Sequence, residues 1–273
     1  MVKKSYMARS ISEALEIIKD PSIIPYAGGT DIMVTPNKDA AYVFVNKIPK
    51  LKKIEVKDEH LSFGAACTFT ELLESDLTPA ILKEAALNIA APAIRNAGTI
   101  GGNIANGSPK ADSALIFMVT DSKLVLQSTE SQRTVSIKDF YKGNKKLDIR
   151  SDELITEVLM PNLNYSNYYY TKVAARGALA ISRLSFAAII DVQNDMVTNF
   201  ATAFGALSDV IIRPVAADAQ FIGKSLMQAK DHIPTYIEEM DKEIVPIRGR
   251  VSAEYRKTVA MNLLRDFLST KLG

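Results

Sequence analysis

Two Gly-Gly turns, each followed by small polar residues, constrain this 273-residue chain more than any other feature. The longer stretch, residues 94–112, contains Gly101-Gly102, and a shorter one, residues 25–31, contains Gly28-Gly29. Paired glycines let a ligand approach the backbone closely, and successive free N–H groups bind phosphate. The longer stretch adds hydrogen-bonding side chains: Asn103, Asn106, Ser108 and Asp112. The two turns together predict one extended, phosphate-bearing ligand that is held from both ends or both sides.

The composition indicates a globular protein and narrows its partners. Hydrophobic residues make up 47% and charged residues 23% of the chain, and 273 residues are enough for two domains with sizeable cores. The net charge of +2 comes from scattered Lys and Arg residues, so nucleic acid is not expected as a partner. No apolar run reaches the length of a membrane span, and no signal peptide is evident. We therefore expect a cytoplasmic protein that does not contact a membrane.

The few cysteines and histidines exclude several chemistries. Cys67 is the only cysteine, so the chain has no internal disulfide, no self-contained iron–sulfur cluster and no cysteine-type zinc site. His60 and His232, the only histidines, lie far apart in sequence and are expected at the surface or at loop caps. No metal site and no catalytic acid–base residue is predicted.

Hydrophobic periodicity and cap signals predict an α+β organisation. The first fifty residues indicate a β-α-β-β unit whose helix begins with a Ser10–Glu13 capping box, and a second box at Thr68–Glu71 marks another helix start. A turn-rich segment at residues 160–167 is the best candidate for a domain boundary. Beyond it the pattern predicts a three-stranded sheet backed by helices. The strands are predicted at 168–174, 182–192 and 196–204, and the helices at 216–222, 227–240 and 252–271.

Neither of the common nucleotide-binding motifs describes the longer glycine stretch. Residues 98–103 do not follow the G-x-G-x-x-G pattern, and no acidic residue lies at the distance that a Rossmann site requires. A phosphate loop of the G-x-x-x-x-G-K-[ST] type is also absent, because Lys110 is preceded by Ser108-Pro109. A purely structural interpretation makes Gly101-Gly102 a tight turn. That interpretation must also explain the second Gly-Gly turn and the polar residues that follow it.

The glycine motifs resemble those of a known family. Residues 27–31 (AGGTD), 99–103 (TIGGN) and 105–112 (ANGSPKAD) are similar to the FAD-binding subunit of molybdenum hydroxylases, such as the flavoprotein of carbon monoxide dehydrogenase and the flavin part of xanthine dehydrogenase. The resemblance covers most of the chain. It implies the two-subdomain FAD-binding fold that vanillyl-alcohol oxidase and p-cresol methylhydroxylase share.

The same resemblance implies a domain division. Residues 1–163 would form the FAD-binding domain, with subdomains at about 1–53 and 54–163. Residues 168–273 would form a small α+β C-terminal domain of the carbon monoxide dehydrogenase flavoprotein type.

The resemblance also implies a set of cofactor-binding residues. Backbone amides around Gly28 and Gly29 would bind the FAD pyrophosphate, and the second glycine turn would complete this cradle. Asp112 would accept hydrogen bonds from cofactor hydroxyls, although it could instead cap a helix that starts near Ser113. Lys172 would contact the flavin, although it could instead be an exposed lysine at a strand edge. The full set is Pro25, Tyr26, Ala27, Gly28, Gly29, Thr30, Asp31, Ile32, Thr99, Ile100, Gly101, Gly102, Asn103, Asp112, Ile155 and Lys172.

The function implied by the resemblance is electron transfer within a complex. Substrate would be hydroxylated at a molybdenum cofactor on a large partner subunit. Electrons would pass through [2Fe–2S] clusters on a small partner subunit to FAD on this chain, and then to NAD⁺ or another acceptor. Two alternatives stay open: a free-standing FAD oxidoreductase of the same fold, and a non-catalytic nucleotide-binding partner protein.

Overall fold

The computed structural model describes residues 5–37, 39–177, 179–247, 249 and 251–273, and the chain forms two compact units. The first unit consists of Met1–Pro79, Ile89–Gly107 and Asp121–Asn162. The second unit consists of Ala80–Asn88, Ser108–Thr120 and Leu163–Gly273. The units are therefore interleaved in sequence, whereas the sequence patterns place a single boundary near residues 160–167.

A small parallel sheet opens the first unit. It contains strands β1 (Tyr6–Met7), β2 (Ile23–Tyr26) and β3 (Ala41–Phe44) in the order β1-β3-β2, with helix α1 (Ile11–Ile18) between the first two strands. Ser10 caps α1 by accepting a hydrogen bond from the Glu13 N–H. The buried face of α1 belongs to the same apolar cluster as Val43 of β3. This β-α-β-β arrangement, which the sequence predicts, places the Gly28-Gly29 turn directly after β2.

A five-stranded antiparallel sheet forms the rest of the first unit. Its strand order is β4-β5-β10-β6-β7. The strands are β4 (Ile54–Lys57), β5 (His60–Gly64), β6 (Lys123–Gln127), β7 (Gln132–Ser136) and β10 (Leu154–Pro161), and a separate hairpin pairs β8 (Tyr141–Gly143) with β9 (Lys146–Leu147). Its helices are the 3₁₀ turn Pro49–Lys52, α2 (Phe69–Glu74), α4 (Pro92–Arg95), α5 (Ile100–Ala105) and α7 (Ile137–Phe140). The predicted Thr68–Glu71 capping box is present at the start of α2.

The second unit is a three-stranded antiparallel sheet with helices. Strands β11 (Tyr168–Val173), β12 (Leu184–Gln193) and β13 (Met196–Gly205) pair in chain order. Asn194 and Asp195 join β12 to β13 with positive φ angles of 49° and 64°, which is typical of a type I′ hairpin turn. The helices are α3 (Ala80–Leu87), α6 (Asp112–Val119), α8 (Val215–Asp218), the 3₁₀ turn Ala219–Phe221, α9 (Leu226–Glu243) and α10 (Ala253–Leu272).

Helix α6 explains why the second unit includes a segment from the middle of the chain. All eight of its residues are buried, so it presents no solvent face. It packs against β12, β13 and α3. A helix that is apolar all round must be covered on every side, and the second unit provides that cover.

Among the described residues, no helix combines the length and the apolar character needed to cross a bilayer.

Candidate functional site

A cavity of about 550 Å³ in the first unit brings the two glycine turns together. Its volume is within the range of small-molecule and cofactor sites, about 300–1,000 Å³. Most of the site residues that the sequence predicts line this cavity: Pro25, Tyr26, Ala27, Gly28, Gly29, Thr30, Asp31, Ile32, Thr99, Gly101, Gly102, Asn103 and Ile155. The ends of β5 and β10 complete the wall, through Ala65 and Leu154 among others.

The first glycine turn keeps its backbone donors available. Within the described part of the chain, no N–H group of residues 27–31 donates a hydrogen bond to the protein. The carbonyl groups are used instead: Gly29 accepts from the Met33 N–H and Asp31 from the Val34 N–H, both at 3.0 Å. Gly29 has a φ of +71°, a left-handed conformation that favours glycine. A run of unused N–H groups in such a turn is suited to binding an anion.

The second glycine turn differs, because its N–H groups are already used. The Ile100 N–H donates to the Cys67 carbonyl at 3.0 Å, and the Gly101 N–H donates to the Ala65 carbonyl at 2.8 Å. Thr99 caps α5 and accepts from the Gly102 N–H at 3.1 Å through Oγ1. The interpretation that this stretch provides successive free N–H groups is therefore wrong. Two of the three acceptors, the Ala65 and Cys67 carbonyls, lie in the loop that follows β5.

The glycines of the two turns also have different roles. A Cβ on Gly28 would lie 1.9 Å from the Ala97 carbonyl oxygen, so this glycine lets one turn pack against the other. A Cβ on Gly101 would lie 2.7 Å from both the Cβ and the carbonyl oxygen of Ala65. A Cβ on Gly102 would meet only Thr99 Oγ1, at 2.9 Å. Gly102 is thus the glycine of the second turn that leaves open space beside the cavity for a ligand.

Charged residues that the sequence patterns did not single out lie at the cavity wall. Glu153 is buried, and Arg133 donates to its two carboxylate oxygens at 2.7 and 2.9 Å. The Arg150 N–H adds a third hydrogen bond at 2.8 Å, and these donors lower the pKa of Glu153, with Arg133 as the main cause. This pairing fixes the start of β10, where Leu154 and Ile155 face the cavity.

Lys145 is a second unanticipated residue of the cavity. It lies in the tight turn between β8 and β9, with a φ of +54°. Its N–H donates to the Gly107 carbonyl at 3.2 Å, which places the turn against the chain just after α5. The turn residues Gly143-Asn144 are a sequence signal for this hairpin, but the contact with Gly107 requires the folded chain.

Three of the predicted site residues do not line the cavity. Ile100 is fully buried in the core of the first unit. Asp112 and Lys172 lie in the second unit and form an ion pair with an Oδ2–Nζ distance of 2.7 Å. Lys172 also donates to the Asn88 carbonyl at 2.8 Å, and Ser182 Oγ donates to Asp112 Oδ1 at 2.8 Å.

The structure excludes the alternative roles considered for these two residues, a helix cap for Asp112 and an exposed strand-edge lysine for Lys172. Asp112 lies in the first turn of α6 and does not cap it, because the N-cap is Ala111. The Lys172 side chain is 9% exposed and the Asp112 side chain 7%, so Lys172 is not a solvated strand-edge residue. Burial raises the pKa of Asp112, while Lys172 and Ser182 oppose that rise by stabilising the carboxylate.

Metal ligation has no support in the described part of the chain. No group of three or more His, Cys, Asp or Glu side chains is arranged there to hold a metal ion. Burial raises the pKa of the Cys67 thiol to about 12, which keeps it protonated and disfavours thiolate ligation.

Two protein families match the chain, and together they span most of it. The family described as "FAD binding domain in molybdopterin dehydrogenase" matches residues 2–163. The family described as "CO dehydrogenase flavoprotein C-terminal domain" matches residues 169–270.

Individual relatives match over almost their whole length. The chain is 32% identical to the xanthine dehydrogenase FAD-binding subunit of Escherichia coli O157:H7, covering 97% of this chain and 94% of the relative. It is 26% identical to the glyceraldehyde dehydrogenase medium chain of Sulfolobus acidocaldarius, covering 92% of each.

A solved structure has the same fold. The match to a chain of carbon monoxide dehydrogenase from Hydrogenophaga pseudoflava has a TM-score of 0.89 at 23% identity, covering 98% of this chain and 97% of that one. The predicted fold class, family resemblance and FAD cofactor are confirmed by these matches.

Proposed function

This chain belongs to the family of FAD-binding domains of molybdopterin dehydrogenases, and from that membership we propose that it is the electron-transferring flavin subunit of a molybdenum hydroxylase complex. A large partner subunit would carry the molybdenum cofactor that hydroxylates the organic substrate. A small partner subunit would carry the [2Fe–2S] clusters that deliver electrons to FAD on this chain. NAD⁺ or another acceptor would then receive the electrons, and we place the complex in the cytoplasm.

The observation that carries the proposal is the shared cavity of the two glycine turns. FAD brings a diphosphate, and the unused N–H groups of residues 27–31 supply donors of the kind that a diphosphate needs. Gly102 provides the space for close approach. We assign Pro25–Ile32, Thr99, Gly102, Asn103 and Ile155 to cofactor binding on this basis. Gly101 lines the cavity too, but we assign it to packing, because a Cβ there would meet Ala65. When bound, FAD supplies the redox chemistry, while the chain binds and orients it.

The Asp112–Lys172 pair is assigned to the cofactor with a revised role. Because Asp112 balances the charge of Lys172, the pair presents little net charge to a neighbouring group. Lys172 would therefore contribute a hydrogen bond to the cofactor rather than a full positive charge. Ser182 and the Asn88 carbonyl hold the two side chains in place. Ile100 was predicted to bind the cofactor. Because it is a buried core residue, we assign it instead to supporting α5.

The need for partner subunits is supported by the chain's own chemistry. Its one cysteine, Cys67, is buried and has a raised thiol pKa, so the chain has no ligands for an iron–sulfur cluster. Relatives are named as medium chains or as subunits of a dehydrogenase complex. No comparable observation supports the alternative of a free-standing oxidoreductase. Such an enzyme would need a catalytic Ser or Glu in the second unit.

The test is to purify the chain and measure its flavin. We expect visible flavin absorbance with about one FAD released per chain on denaturation. A protein without flavin absorbance that also takes up no added FAD would refute the assignment.

A second measurement addresses the complex. We expect an affinity-tagged chain, expressed with its genomic neighbours, to co-purify with a molybdenum-containing and an iron–sulfur subunit. Purification of this chain alone with active FAD would favour the free-standing oxidoreductase. A chain that binds the cofactor but is not reduced by any partner would favour the non-catalytic alternative.

A further inference from the structure

The phenol of Tyr26 lies against the first glycine turn. Tyr26 is the last residue of β2, directly before residues 27–31, and it lines the cavity. A Cβ on Gly29 would lie 1.9 Å from the Tyr26 hydroxyl oxygen and 2.2 Å from Cζ, the ring carbon that bears it. The hydroxyl therefore occupies the space where any other residue at position 29 would carry its side chain. Gly29 makes room for this phenol in addition to adopting a positive φ angle.

Three contacts fix Tyr26 in this position. Its carbonyl accepts from the Val45 N–H at 2.9 Å, which joins the end of β2 to the residue after β3. Its ring packs edge-on against Phe44 and Tyr42 of β3, with centroid distances of 4.8 and 5.7 Å. Edge-to-face packing of aromatic rings is directional, so it orients the phenol. The fold of the first unit thus sets the place of the hydroxyl.

The Tyr26 hydroxyl is a donor without a protein acceptor. Among the described residues it has no hydrogen-bond partner, although the side chain is only partly exposed. The backbone N–H groups of residues 27–31 are in the same state within that part of the chain. An O–H donor beside several unused N–H donors is suited to an anion that offers several oxygen atoms.

We infer that Tyr26 is a side-chain donor of the diphosphate site, its O–H donating to a phosphate oxygen of the bound ligand beside the backbone N–H groups of residues 27–31. The inference rests on the proposed function, because that function puts the FAD diphosphate at this turn. It makes Tyr26 a specificity residue for ligands that carry a diphosphate, of which ADP is a small example. The contrasting interpretation is that Tyr26 only packs on β3 and that water solvates its hydroxyl.

The experiment compares Tyr26→Phe with the unmodified full-length chain, each freed of flavin. The change removes one oxygen atom and keeps the ring contacts with Phe44 and Tyr42. We expect the variant to bind both FAD and ADP about tenfold more weakly in calorimetric titrations, the loss expected for one hydrogen bond to a charged acceptor. Adenosine has no phosphate, so its affinity, measured by competition with ADP, should be the same for both proteins.

Tyr42→Phe is the matched control. Tyr42 belongs to the same group of aromatic rings, but its hydroxyl donates to the Asn37 carbonyl at 3.3 Å and it does not line the cavity. This variant should bind FAD as tightly as the unmodified chain does. The flavin-free Tyr26→Phe chain should also keep the thermal unfolding midpoint of the unmodified chain, because the lost hydroxyl bonds to nothing in the described protein.

Each outcome decides a separate point. Equal FAD affinity of Tyr26→Phe and the unmodified chain would overturn the inference and leave the proposed function intact. Equal weakening by Tyr26→Phe and Tyr42→Phe, or a lowered unfolding midpoint for Tyr26→Phe, would overturn it too, because a structural role would then explain the loss. Weaker binding of FAD but not of ADP, or of adenosine as well, would place the contact of Tyr26 away from the diphosphate. An unmodified chain that binds neither FAD nor ADP would instead refute the proposed function.

Discussion

The two glycine turns are similar in sequence, but the hydrogen bonding of their backbone N–H groups is opposite. Residues 27–31 leave their N–H groups unused, whereas the N–H groups of residues 100–103 all donate within the protein. The first turn is therefore equipped to bind an anion through its backbone. The second is a capped helix start whose glycines provide close packing and, at Gly102, open space. A Gly-Gly motif alone does not show which of these two states the folded chain adopts.

The largest effect is expected for Gly28→Ala. Its Cβ would lie 1.9 Å from the Ala97 carbonyl oxygen, so the two turns would have to separate. We expect a loss of about 3 kcal/mol or more in the free energy of unfolding, at the upper end for overpacking. Urea unfolding measures this loss. Gly177→Ala is the control, because its Cβ would meet nothing within 4 Å. Equal midpoints for the two variants would contradict the packing role of Gly28.

Gly102→Asp should abolish FAD binding while the fold persists. The new carboxylate would project toward the space that we assign to the diphosphate, and like charges repel. The urea midpoint should change by no more than the equivalent of about 1 kcal/mol, because glycine is itself a poor helix former. Gly102→Asn is nearly the same size without the charge and should retain more flavin. A Gly102→Asp protein that purifies with one FAD per chain would show that the ligand lies elsewhere.

Gly101→Ala separates packing from binding within the second turn. Its Cβ would lie 2.7 Å from the backbone oxygen of Ala65, so we expect a loss of about 1–3 kcal/mol in stability. The flavin content of the folded fraction should stay close to one, because the Cβ would point into protein and not into the cavity. Flavin loss without a change in unfolding midpoint would reverse the roles that we give to Gly101 and Gly102.

The smallest effect is expected for Thr99→Ala. The change removes the side chain that accepts from the Gly102 N–H and caps α5, at a cost of about 1 kcal/mol. It would also free that N–H, making the second turn more like the first. Thr99→Ser keeps the acceptor and should unfold at the same urea concentration as the unmodified chain. If Thr99→Ala were as stable as Thr99→Ser, the cap would contribute nothing measurable.

Much of the fold was predictable because its signals are local. The Ser10 and Thr68 caps are present where the sequence predicts them, and the strand predicted at 182–192 is β12, Leu184–Gln193. A helix was expected to start near Ser113, and α6 spans Asp112–Val119. Its membership of the second unit was not predictable, since an apolar helix can be buried by any partner.

The candidate site, like the fold, has one part that the sequence predicts and another that it does not. Thirteen of the residues that line the cavity were predicted: twelve lie in or beside the two glycine motifs, and Ile155 was implied only by the family resemblance. The sequence did not indicate Lys145 or the Arg133–Glu153 pair, which depend on hairpin geometry and on residues twenty positions apart. It also gave no indication that Asp112 and Lys172, sixty positions apart, form a buried ion pair.

The sequence by itself determined the order of the elements, the family and the cofactor, because each rests on short motifs and periodic patterns. Only the tertiary structure decided which amides are free. The carbonyls that saturate the second turn come from Ala65 and Cys67, more than thirty positions earlier in the chain. A donor is available only when no acceptor reaches it, and long-range packing brings acceptors to the second turn but not to the first.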